Sequence, residues 1–156
     1  MTTRRSPPAS ADAIAAVRAL ARALRVLERA TDELSLAHYR VLVAVASGDE
    51  RASRVAAKLA LGKPAVSAAV EALARRGLLA RSSVAGDQRA AALSVTPGGA
   101  AVLARVERAM SERLHELCAH APDPERLLAA LAELGPAVDE RRAEREAARS
   151  PETGAA

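Results

Sequence analysis

The chain has 156 residues, half of them apolar and 27% charged, with a formal charge of +4, one cysteine, one tyrosine and neither phenylalanine nor tryptophan. That length holds one domain with its own core rather than two, and a lone cysteine, Cys118, excludes an internal disulfide and with it a small extracellular disulfide scaffold. No apolar run reaches the length of a membrane span, and the arginine pair in M-T-T-R-R-S-P-P-A-S precedes no hydrophobic segment, so neither a membrane partner nor a secretion signal is expected and the expected compartment is the cytoplasm.

Alanine supplies about a quarter of the residues, which favours helices that approach closely and leaves the core to Ala, Leu and Val. Residues 1–10 and 150–156 read as disordered tails. Ser10 or Asp12 caps a first helix whose Ile14, Val17, Leu20, Leu24 and Leu27 keep one face. The helix breaks at Thr31 to Leu34. A second helix opens at Ser35 and carries Leu36, Tyr39, Leu42, Val43 and Ala46 before Gly48-Asp49. A short third helix, Ser53 to Ala60, takes Ser53 as its N-cap and turns Val55 and Leu59 to one side. A tight connection through Leu61 and Gly62 leads into a fourth helix from about Lys63 to Arg76. It has Pro64 in its first turn, a buried stripe of Val66, Val70 and Leu73, and Gly77 as a left-handed C-cap.

Strands are expected around Leu78 to Val84 and over Ala91 to Val95, joined by a polar loop Ala85-Gly86-Asp87-Gln88-Arg89. Thr96-Pro97 then opens a long fifth helix, threonine at the N-cap and proline at N1. Its stripe is Val102, Leu103, Val106, Met110, Leu114 and Leu117, ending near Cys118 and His120. Pro122 and Pro124 separate it from a last helix with Leu127, Leu128, Leu131 and Leu134, which Gly135-Pro136 should kink or break. Asp139 to Arg149 is all charge and alanine.

The expected class is mainly α with a small β-hairpin wing. Two short helices, a strand, a polar loop and a second strand between Ala52 and Thr96 stand in the order that a winged helix-turn-helix needs to enter a DNA groove. Charge agrees with that order. From Arg51 to Ala91 the cations are Arg51, Arg54, Lys58, Lys63, Arg75, Arg76, Arg81 and Arg89, and the acids are Glu71 and Asp87. Basicity is thus concentrated on this segment, as attraction to phosphate requires, although a solvated basic face with no partner has the same composition. The helices on either side carry more apolar stripe than a lone winged unit can cover, which points to burial against a second copy of the chain.

Enzyme chemistry has no support. The glycines are scattered in turns and caps rather than forming a phosphate loop, no motif sets a Ser, His and acid together, and Asp139-Glu140 lies in a charged, solvated stretch. No cofactor is implied. Cys118 reads as a small buried hydrophobe rather than a redox sensor. His38, His115 and His120 contain no local ligand pair at i, i+4, so a structural or solvated role is preferred over a metal or haem site.

The pattern resembles the MarR family of bacterial transcriptional regulators. The residues that carry the resemblance are L-S-L-A-H-Y-R-V-L-V-A-V (34–45), A-A-K-L-A-L-G-K-P-A-V-S-A-A-V-E-A-L-A-R-R-G-L-L-A-R (56–81), the G-D-Q-R of the wing (86–89) and L-S-V-T-P-G-G (93–99). The resemblance implies one domain over 11–149, with a winged-helix DNA-binding unit at about 35–96 and dimerisation helices at 11–30 and 97–149. It implies a homodimer on palindromic double-stranded DNA at promoters, usually a repressor, often released by a small-molecule effector. The DNA-binding positions are then Ser53, Arg54, Lys63, Pro64, Ala65, Ser67 and Arg89, with Asp87 holding an arginine of the wing in place. For Asp87-Gln88 an ordinary turn is an equally sufficient reading. His38 and Tyr39 are the bulky polar rings nearest the expected effector cleft.

The match is uneven. Gly62 stands where the family commonly caps the recognition helix with Ser, Thr or Asp, and Ala68 and Ala72 stand where relatives often present arginine. That leaves Lys63, which can read guanine, Ala65, which can touch a thymine methyl, and Ser67, which discriminates poorly. The wing and DNA shape are expected to carry an unusual share of the recognition. The alternative is a winged-helix dimer that binds DNA without sequence preference, or binds protein.

Overall fold

The computed structural model describes residues 10–49, 51–84 and 87–149, with backbone alone at 83–84, 87–91, 146 and 149. The elements are α1 (Ala11–Glu28), α2 (Leu36–Ala46), α3 (Ala52–Leu59), α4 (Lys63–Arg75), β1 (Leu79–Val84), β2 (Asp87–Val95), α5 (Pro97–Cys118) and α6 (Pro124–Arg149). The chain divides into two units, Met1–Arg113 and Leu114–Ala156, with α5 running through the division. The class is mainly α with a two-stranded antiparallel wing. No described helix is long and apolar enough to cross a membrane.

In the first unit the core gathers Leu34, Val41, Leu42, Ala44 and Val45 with Val55 and Ala56 of α3, and with Val66, Ala69, Val70 and Leu73 of α4. Leu78, Leu79, Leu93 and Val106 complete it. The stripe expected on α4 is therefore the buried one, widened by Ala69. On α2 the expectation fails in part. Val41, Leu42, Ala44 and Val45 are buried, whereas Ala46 is exposed and Tyr39 only half-buried. Because α2 packs on α3, α4 and β2 together, it is enclosed on more than one side, and a single-face pattern cannot describe it.

Three successive helices end in the same way. At the ends of α2, α3 and α4, the N–H groups of Asp49, Leu61 and Leu78 donate to the carbonyls of Ala44, Ala56 and Leu73, closing Schellman motifs. The left-handed residues are Gly48 (φ 97°), Ala60 (φ 50°) and Gly77 (φ 69°). Gly77 fulfils the expectation. In the helix-turn-helix connection the tight bend falls on Ala60 rather than Gly62, whose φ of −61° any residue adopts. An alanine in this region is strained, so Ala60→Gly should stabilise the protein by about 0.5–1 kcal/mol. Gly62→Ala, whose Cβ would meet Pro64 Cδ at 3.7 Å, brings no such gain from relieved backbone strain. Urea unfolding checks both through the midpoint at constant slope.

Ser53 is not the N-cap of α3. The helix begins one residue earlier, at Ala52, with Arg51 in the cap position and its carbonyl accepting the Val55 N–H at 3.0 Å. The wing is also longer than expected. Asp87 to Arg89 belong to β2 rather than to a loop, while Ala85 and Gly86 lie outside the described residues. Pairing runs in register from Leu79↔Val95 to Ser83↔Ala91 and then jumps to Val84↔Asp87. The extra residues 88–90 make an irregularity that turn-forming residues alone do not reveal.

Thr96 performs its expected role at the start of α5 and ties that start to the end of α4. Its Oγ1 donates to the Gly77 carbonyl at 2.6 Å and accepts the Gly99 N–H at 2.9 Å, and its own N–H donates to the Leu78 carbonyl at 3.1 Å. In the second unit Asp123 caps α6, accepting the Arg126 N–H at 3.0 Å. The helix runs on to Arg149 with Pro136 inside it, so of the expected kink or break the break does not occur. Gly135 and Pro136 both weaken the helix there, but strong helix formers lie on either side of the pair, in Ala129 to Leu134 and from Glu140 on, and the pairs Arg142–Asp139 and Arg141–Glu144 lie along the continuation.

Candidate nucleic-acid interface

The helix-turn-helix is held from behind. Arg40 of α2 donates from Nη2 to the Leu59 carbonyl at 3.1 Å, placing a cation on the C-terminal end of α3. Lys58 turns back to Asp49 at 2.8 Å. With the apolar sides of α3 and α4 committed to the core, the other faces show Ser53, Arg54 and Ala57 on α3, and Lys63, Pro64, Ala65, Ser67, Ala68, Glu71 and Arg75 on α4, all exposed. Ala72 is half-buried, so of the two alanines that thin the recognition surface, Ala68 is the one fully outside.

Helix caps set these two helices apart. Ser10, Ser35, Thr96 and Asp123 each accept a first-turn N–H at α1, α2, α5 and α6. The cap residues of α3 and α4, Arg51 and Gly62, make no side-chain cap hydrogen bond. First-turn N–H groups of α3 are thus left to solvent or to an anion, whereas in α4 Pro64 has none and the Ala65 N–H donates to the Gly62 carbonyl at 3.0 Å, which leaves the Lys63 N–H. The cations nearest to them, Arg51, Arg54 and Lys63, are exposed and in no ion pair among the described residues.

Of the eight cations counted in the sequence, some are already engaged. Lys58 pairs with Asp49, Arg75 faces Glu71 at 3.8 Å, and Arg76 donates to the Glu33 carbonyl at 2.7 Å. Glu71 is the acid that sequence reasoning counted and then passed over. It stands on the exposed side of α4 one turn beyond Ala68, where a carboxylate repels phosphate. Arg81 is exposed on β1. Asp87 and Arg89 lie in β2, and their side chains are outside the described residues.

His38 and Tyr39 share α2. The His38 N–H donates to Ser35 Oγ at 3.3 Å. Burial pushes the Tyr39 phenol above its ordinary value, with the Glu107 carboxylate adding to the effect. Among the described residues no group of three or more His, Cys, Asp or Glu is placed to hold a metal ion. Cys118 is buried at the end of α5.

Residues 32–90, the span from the α1–α2 connection into the wing, match the MarR family model. Over those residues the chain is similar to the winged helix of the MarR family. No curated protein matches in sequence. Among solved structures, MarR of E. coli in its apo form superposes with a TM-score of 0.68 at 18% identity, over 85% of this chain and 98% of its own. A MarR family regulator from Rhodococcus sp. RHA1 gives 0.68 at 19%, over 87% of this chain and 96% of its own. The transcriptional repressor CouR, solved on a 23-mer DNA duplex, gives 0.64 at 24%, over 81% and 90%. At these identities the likeness establishes the MarR fold along nearly the whole length of each relative.

Proposed function

We propose that this protein is a sequence-specific DNA-binding transcriptional regulator, a homodimer that represses from a palindromic promoter site and is released by a small-molecule effector. The observation that carries the reading is the pair of N-termini at α3 and α4 without a side-chain cap, flanked by the exposed Arg51, Arg54 and Lys63, which form no ion pair among the described residues. Backbone donors, helix dipoles and exposed cations there favour the same anion, and the family's winged helix supplies the anion's identity as phosphate of a duplex. CouR has been solved both on DNA and with p-coumaroyl-CoA, which supports an effector-released repressor here, with His38 and Tyr39 as the first residues to test for effector contact. The terminal helices supply the two-fold. No residue of α1 is buried, and Ile14, Val17, Leu20 and Leu24 lie open on it, as do Leu127, Leu134 and Val138 on α6.

The test begins with a duplex selected by the protein from a random pool. Lys63→Ala should weaken binding to it by about 1–3 kcal/mol if the ammonium reads guanine, with the loss confined to duplexes carrying that base. A contact to phosphate alone should weaken all duplexes alike and flatten the salt dependence. Unchanged binding in both assays removes Lys63 from the interface. Failure to select any preferred duplex, with salt-dependent binding retained, would favour the non-specific alternative, for which the exposed Ala65 and Ala68 are the argument.

A further inference from the structure

Glu33 is a half-buried residue of the first unit with four hydrogen bonds among the described residues, and the DNA-reading role proposed above gives it a task. It sits between α1 and α2, outside every motif that marked the sequence. Its N–H donates to Thr31 Oγ1 at 3.1 Å, and its carbonyl accepts Arg76 Nη2 at 2.7 Å from the C-cap of α4. Its carboxylate takes a two-pronged bond from Arg105 of α5, Nε to Oε1 at 3.1 Å and Nη2 to Oε2 at 2.6 Å. One residue thereby ties the end of the recognition helix to the long helix α5. The Arg105 fork holds its carboxyl below the ordinary 4.5, with Arg76 adding to it, so the pair is charged at neutral pH.

We propose that Glu33 is a positioning residue that fixes α4 against α5 and so sets the half-site spacing that the two recognition helices of the dimer can reach. In a dimer joined through its terminal helices, the angle between α4 and α5 on each subunit decides the separation and rotation of the two α4 helices. A change of one base pair between half-sites shifts one of them by about 3.4 Å and turns it by roughly 35°. A fork between a planar guanidinium and a carboxylate restrains direction as well as distance, which a single contact does not. Side-chain exposures of 39% for Glu33 and 55% for Arg105 keep the pair's contribution to stability near or below about 1 kcal/mol. Its loss should therefore appear in geometry before it appears in folding.

The experiment uses the full chain and three duplexes: the one selected from a random pool by the unmodified protein, and the same duplex with one base pair inserted or deleted at its centre. The unmodified protein should prefer the selected spacing. Glu33→Ala and Arg105→Lys should each lose about threefold to tenfold there, the range allowed by about 1 kcal/mol, and lose much less on the altered spacings, so that the preference flattens. Glu33→Ala/Arg105→Lys should be no worse than either single change, because both remove the same tie. Dimer mass and urea midpoint should stay close to the parent's. An unaltered spacing preference overturns the proposal, as does equal weakening on all three duplexes or additive losses in the double variant. If the unmodified protein selects no duplex with paired half-sites, the DNA reading itself falls and this inference falls with it.

Discussion

Leu20→Glu should split the protein into single chains and cost it most of its DNA affinity. In one chain Leu20 is 46% exposed on a helix with no buried residue. Leucine and glutamate have similar helix propensities, so a lone chain would scarcely register the change. In a dimer joined through α1 the substitution puts two carboxylates into an apolar seam, each without a partner. Sedimentation at micromolar concentration should move from about twice the 16.2 kDa chain mass to that mass itself. Affinity for the selected duplex should fall by about 10²- to 10⁴-fold, since two half-sites would no longer be engaged by one molecule. A parent that sediments as a folded monomer, or a Leu20→Glu variant that remains a dimer, contradicts this assignment of the α1 stripe.

Gly99→Ala should be the most damaging change inside the fold. The T-P-G-G segment starts α5 against the turn that ends α4, and Gly99 is buried there. A Cβ at this position would overlap the Leu78 carbonyl oxygen and stand 3.0 Å from the Leu78 carbonyl carbon and from Val95 Cγ1. The Leu78 carbonyl cannot swing away, because it accepts the Thr96 N–H, and Thr96 also holds the Gly77 carbonyl. Overpacking against backbone should cost about 3 kcal/mol or more, read from the urea midpoint. Gly98→Ala, whose Cβ meets nothing closer than 3.7 Å, should leave the midpoint nearly where it was. Equal midpoints for the two variants would contradict the packing account.

Local chemistry was legible in the sequence wherever one or two neighbouring residues decide the outcome. Thr96-Pro97 and Gly77 are of this kind, as is the Val66, Val70, Leu73 stripe. What periodicity missed depends on packing or on distance along the chain. Burial of Val41, Ala44 and Val45 follows from α2 having neighbours on several sides. Ala60 takes the left-handed turn although Gly62 is the residue better suited to it, because the Schellman bonds at the end of α3 fix the position. The wing strands extend through alanine and serine, which carry little strand signal. Asp49 neutralises Lys58 from just outside the basic window, and Glu71 dilutes the surface from within it. Nothing local connects Glu33 to Arg105, 72 residues away. The DNA contacts proposed for Ser53, Arg54, Pro64, Ala65, Ser67 and Arg89, and the bracing role proposed for Asp87, rest on position in the helices and wing and on the resemblance.

The central claim is that two copies of this chain read one duplex through α4 and the wing. A hydroxyl-radical footprint on the selected duplex tests it most directly. The account predicts two protected stretches related by a two-fold, their centres about 10–10.5 base pairs or a multiple apart, each flanked by minor-groove protection that Arg89→Ala removes and Ser67→Ala leaves in place. A single protected stretch, or uniform protection that salt abolishes without any preferred site, would contradict it.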